Sequence, residues 1–180
     1  MHGADRLIDR CARRPTLPGL RFVTTDLRLT SLFPLLRWLG YGGLIPFAAL
    51  AAGGLLLRDP ALRAQCLLLL QVYGLSIISF VGAISWGIAL MASDHHETLR
   101  RQLFLWSVVP SLIGCASFLL SASAGCLLLA ATAALAFVVD MRTLSVLGLP
   151  AAWRRLRLHL TAGAIIALLT GAQAARGLGS

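Results

Sequence analysis

Charged side chains divide the chain into long apolar stretches, and the length of each uncharged stretch is what carries meaning. A hydrocarbon layer about 30 Å thick requires about 20 apolar helical residues. Trp38 to Leu57 is uncharged between Arg37 and Arg58, and Ala64 to Ser93 is uncharged between Arg63 and Asp94. Gln102 to Val139 runs 38 residues without a charge, nearly twice what one crossing needs. The small-residue run Ser121-Ala-Ser-Ala-Gly125 near its middle reads as a turn between two crossings. Leu158 to Ala175 gives a last, shorter stretch closed by Arg176. The pattern predicts an all-α bundle of five transmembrane helices, with spans near 38–57, 67–92, 103–121, 124–139 and 158–175. These lie in a membrane domain over 35–176, after a basic segment over 1–34.

Composition agrees with this layout. Hydrophobic residues make up 58% and charged residues 13% of the 180, with mean hydropathy +0.81, against about 45–50% and about 25% in ordinary soluble domains. A soluble globular enzyme is excluded. All 16 basic residues are arginine, giving a formal charge of +9. The five-span layout places thirteen of them on the side of the N-terminus and three, Arg58, Arg63 and Arg176, on the other. Positively charged loops are retained in the cytoplasm. The expected location is therefore a bacterial cytoplasmic membrane with the N-terminus inside and the C-terminus outside, or, alternatively, a mitochondrial inner membrane. The basic segment, whose start Asp5–Arg14 reads as one short amphipathic helix, lacks the apolar core of a secretory signal peptide. It is expected to lie against anionic headgroups or to dock a partner.

Chemistry is sparse. No charge falls at mid-span; Asp140, ending the fourth span, reads as an interfacial anchor with Arg142, Arg154, Arg155 and Arg157, or as a proton-relay acid. His95 and His96, with His159 expected on the same side, are candidates for an interfacial metal cluster with Asp94, Glu97 and Asp140. The plainer reading is a solvated polar loop, since adjacent histidines lack the i, i+4 spacing that puts two ligands on one helix face. Every histidine lies at or outside the edge of a span, whereas an axial haem ligand would sit inside one, and no cofactor is expected. Cys11, Cys66, Cys115 and Cys126 have neither disulfide nor zinc spacing.

The second span is unusually polar for lipid. Tyr41 of the first span with Gln71, Tyr73, Ser79 and Trp86 of the second defines a candidate polar pathway. Small residues recur every fourth position at Ser79, Ala83 and Gly87, at Ser107, Ser111 and Cys115, and at Gly163, Ala167, Gly171 and Ala175. Such runs let another helix approach closely, inside the bundle or in a neighbouring subunit. Pro46 and Pro110 permit kinks that can frame a cavity. No phosphate-binding loop, catalytic triad or nucleic-acid face is legible.

Several strings together resemble a family of small five-span proteins of unassigned activity. These are Leu39-Gly-Tyr-Gly-Gly-Leu-Ile-Pro-Phe47, Tyr73 with Ser79-Phe-Val-Gly-Ala-Ile-Ser-Trp-Gly87, Trp106-Ser-Val-Val-Pro-Ser-Leu112, Asp140, and Pro150-Ala-Ala-Trp-Arg-Arg-Leu-Arg-Leu-His-Leu-Thr161. The family occurs in proteobacteria and includes the mitochondrial "transmembrane protein 69". The likeness runs over roughly 36–172 in matching order; where relatives tend to carry histidine before the tryptophan of the second span, this chain has Ser85. The resemblance implies an energy-transducing inner membrane and supplies no activity. The expected role is non-catalytic: an accessory or assembly subunit of a larger inner-membrane complex, respiratory complexes included, with the bilayer and other membrane subunits as partners and no nucleic acid. The alternatives are a small transporter or channel along the polar residues of the second span, and a metal-dependent membrane enzyme.

Overall fold

The computed structural model describes residues 25–91, 97–146 and 151–177. They form five α-helices: α1 (Thr25–Leu56), α2 (Pro60–Met91), α3 (Glu97–Ala116), α4 (Ala122–Val146) and α5 (Ala151–Arg176), with a 3-10 turn at Ser117–Leu119 between α3 and α4. Each helix contains a segment long and apolar enough to cross a membrane, and no strand occurs among the described residues. The protein is an all-α integral membrane protein. The chain divides into two units, Met1–Leu36 and Arg37–Ser180. The short N-terminal helix expected at Asp5–Arg14 lies outside the described residues, as do His95 and His96.

The helices outlast the spans read from charge alone. α2 starts at Pro60 and carries Arg63; α5 starts at Ala151 and carries Arg154, Arg155 and Arg157. A charge ends the stretch that hydrocarbon can solvate, but a backbone that satisfies its own hydrogen bonds continues while the guanidinium reaches outward. The start of α2 follows from local chemistry: Asp59 Oδ1 accepts from the Ala61 N–H at 2.8 Å, and Pro60 occupies the first helical position, where no donor is needed.

The break between α3 and α4 falls at Ser117–Ser121, earlier than the small-residue run suggests. Ser121 is the N-cap, its Oγ accepting from the Ala124 N–H at 3.4 Å and its carbonyl from Gly125 at 2.8 Å. The small residues after it form the first turn of α4. A Cβ on Gly125 would lie 2.5 Å from Gln71 Nε2 and 2.6 Å from the Ser117 carbonyl oxygen, so their smallness serves close packing of that turn.

Within the second unit the core joins α1, α2, α4 and α5 around Phe47, Leu70, Cys126, Leu129 and Leu168. α1 and α2 run antiparallel, Gly54 lying against Leu67 and Gly43 near the Tyr73 hydroxyl. α1 and α5 run parallel, Gly40 against Leu160, Leu44 against Gly163 and Gly54 near Ala174. α3 packs on α2 where Gly82 meets the Ser107 backbone and Gly114 meets Leu75. Buried hydroxyls close on their own helices, Ser107 to Phe104 O, Ser117 to Gly114 O and Thr132 to Leu128 O at 2.6–2.8 Å, so they need no partner in lipid. The outward faces are apolar, with Leu105, Leu112, Leu119 and Ile166 exposed to the bilayer.

Candidate functional site

Polar side chains gather at the two ends of the bundle. At the end where α4 finishes and α5 begins, Arg157 donates from both Nε and Nη2 to Asp140 Oδ2, at 2.9 and 2.7 Å. Each side chain of the pair is 14% exposed. The pair ties the two helices across a hairpin whose connecting residues 147–150 lie outside the described set. Of the other expected anchors, Arg142, Arg154 and Arg155 are exposed at the same end. Trp153, half-buried beside them, keeps its indole N–H out of solvent with no acceptor among the described residues.

About two turns into α5, His159 Nδ1 meets the Tyr41 hydroxyl at 3.0 Å, joining α5 to α1 on an exposed face. Among the described residues no three His, Cys, Asp or Glu side chains come together as a metal site.

Four of the five residues of the candidate polar pathway engage four different partners. Tyr41 bonds His159. Gln71, buried, donates to Ala122 O at 2.9 Å and holds the start of α4. Tyr73 donates to Gly43 O at 2.8 Å while its ring meets Phe47 edge-on at 4.8 Å. Trp86 is exposed, packed edge-on against Phe104 at 5.9 Å. Ser79 is half-buried on α2.

The far end is closed by a residue that reads in the sequence as a loop charge. Arg63 donates from Nε to Gly54 O at 3.0 Å and from Nη2 to Ala174 O at 3.2 Å. These are carbonyls in the last turns of α1 and α5, where acceptors lack helical donors and the helix dipole is negative. One guanidinium therefore caps two helices at once. Arg63→Ala is expected to cost about 2 kcal/mol, since hydrogen bonds from a charged donor contribute about 1.5–3, discounted here for partial exposure. Thermal unfolding in mild detergent checks it; a melting temperature equal to that of Arg58→Ala would refute the double cap. The signal was present in Asp59-Pro60, which starts α2 early enough to bring Arg63 onto the helix.

The three small-residue runs take different positions. On α5, Ala167 and Gly171 are buried, Gly171 against Leu70, while Gly163 sits under Leu44. On α3, Ser107 is buried and Ser111 half-buried. On α2, Ala83 and Gly87 face outward, and a Cβ on Gly87 would meet nothing within 4 Å. Gly82, which does meet a neighbouring helix, lies one position from Ala83 and therefore on another face of α2.

No curated protein and no solved structure matches the chain. Residues 33–173 match a protein family, a stretch that takes in α2, α3 and α4 entire, most of α1 and all but the last turn of α5. The protein accordingly belongs to the family described as "Protein of unknown function (DUF3429)".

Proposed function

We propose that the protein is a non-catalytic subunit of a larger inner-membrane complex, an accessory or assembly component whose α2 helix receives a transmembrane helix of another protein. The carrying observation is the outward strip Ala83 and Gly87, with open space over Gly87 and exposed Phe80 and Trp86 beside it. Small residues flanked by large ones give a helix a shallow groove, and in lipid close packing is a principal force that brings helices together. The corresponding run on α5 is taken up inside the bundle, which leaves the α2 strip as the face for an outside helix. The arginine imbalance supports a cytoplasmic or matrix-side N-terminus. The resemblance to the five-span family that includes transmembrane protein 69 supports an energy-transducing membrane.

Native electrophoresis from mild detergent tests the reading. The wild-type chain is expected in a band larger than one protomer with its detergent, containing a second membrane protein. Gly87→Leu is expected to collapse that band while leaving the melting temperature of the protomer unchanged. Wild-type protein that purifies only as a bare monomer would defeat the proposal.

A further inference from the structure

The parallel helices α1 and α5 bring two rows of side chains into register at the arginine-rich end. Tyr41 and His159 are joined at 3.0 Å, a sequence separation of 118. Gly40 against Leu160 and Gly163 against Leu44 keep nearly the same offset. One helical turn before Tyr41 stands Arg37, and one turn before His159 stands Arg155, again 118 apart. Residues four apart share a helix face, so the two arginines flank the Tyr41–His159 contact on its outward side. All four side chains are exposed. Among the described residues neither Arg37 nor Arg155 has an ion pair or hydrogen bond, while Asp140, the carboxylate nearest in the sequence to α5, is engaged by Arg157. Two permanent cations held on parallel helices without a carboxylate repel each other unless an anion comes from outside.

Below this level the same rows turn apolar. Ile45 follows Tyr41 by one turn and Ile166 follows His159 by two, both largely exposed. The face therefore passes from guanidinium, through phenol and imidazole, to aliphatic side chains within about three turns. A phospholipid changes character in the same order, from phosphate to glycerol ester to acyl chain. Where the Tyr41 hydroxyl donates to Nδ1, the imidazole keeps an Nε2–H directed away from that bond as a further donor.

We propose that Arg37, Tyr41, Arg155 and His159 form a binding site for the phosphate of one anionic phospholipid, with its acyl chains against Ile45 and Ile166. The inference is independent of any protein partner on α2, since the site lies on α1 and α5.

The test is native mass spectrometry of the full chain in a neutral detergent, titrated with phosphatidylglycerol or with phosphatidylcholine of the same acyl chains. Phosphatidylglycerol is expected to be retained and phosphatidylcholine not. The double variant Arg37→Gln/Arg155→Gln should lose about 30-fold in phosphatidylglycerol affinity, the effect expected of two cations near an anionic headgroup. Arg37→Lys/Arg155→Lys, which keeps the charge, should stay within about fivefold of wild type on the same reasoning. The pair Arg58→Gln/Arg176→Gln at the other end should change nothing. Equal retention of both lipids, equal loss in the control pair, or displacement of the lipid by inorganic phosphate at comparable concentration would each overturn the site. The melting temperature of every variant verifies that the bundle is intact, and the lysine pair keeps the test decisive if the glutamine pair unfolds.

Discussion

Arg157→Met is expected to destabilise the bundle by about 3 kcal/mol, the lower end of the range for stranding one member of a buried pair. It leaves Asp140, in the last two turns of α4, with a carboxylate only 14% exposed and no Arg157 guanidinium beside it. A short side chain cannot reach the headgroup layer. The reverse change, Asp140→Asn, is expected to cost less, because an unpaired arginine at a helix end extends its charged tip toward water along its own aliphatic stem. That asymmetry is itself diagnostic: an interaction read only as a contact energy would predict equal losses. The double variant Arg157→Met/Asp140→Leu should recover to within about 1 kcal/mol of wild type, since replacing both partners of a buried pair with apolar groups is often neutral or stabilising. Unfolding followed by tryptophan fluorescence in mild detergent supplies the measurement, with exposed Arg154→Met as the control. If Arg157→Met and Arg154→Met melt together, Asp140 and Arg157 do not hold α4 to α5.

This pair also marks the limit of what the chain discloses unaided. Five crossings are legible because the length of an uncharged run answers directly to the thickness of a bilayer. The 38-residue run must hold two helices whatever its details. The position of the break inside it was less accessible. Ser121 to Gly125 looks like a turn by composition, yet the residues after Ser121 form the first turn of α4, held by Gln71, which donates to the Ala122 carbonyl from 51 positions away. Asp140 reads as an interface anchor, but its 17-residue separation from Arg157 crosses a hairpin, and local spacing offers Arg142 as the nearer partner. Tyr41 and His159 are 118 positions apart; their meeting depends on the parallel packing of the first and last helices, which no periodicity encodes. The polar residues of the second span suggested one line of groups, and their placement shows why spacing on a single helix is insufficient. Gln71 and Tyr73 are only two residues apart, yet one reaches α4 and the other α1.

Small-residue runs raise the same problem in a form that one substitution can decide. Gly82→Ala is expected to lower stability by about 1–3 kcal/mol, the usual cost of forcing added volume into a packed site, even though alanine favours a helix over glycine by about 1 kcal/mol. The added methyl would run into the backbone carbonyl of Ser107, which is no flexible side-chain tip and yields only if α3 moves away from α2. Gly82→Leu should therefore separate the two helices and expose the edge-on contact of Trp86 with Phe104 to quenching, since that contact spans the same interface. Gly87→Ala, five positions along the same helix, meets open space and should be neutral or stabilising by up to about 1 kcal/mol through helix propensity alone. Steric cost at Gly82 opposes propensity and exceeds it; at Gly87 propensity acts by itself. The two variants, compared by thermal unfolding of the isolated protomer, thus separate glycines that build the bundle from glycines left on its surface. Equal destabilisation by both would mean that the outward face of α2 is occupied within the protomer, and the strip at Ala83 and Gly87 would no longer be open to another helix.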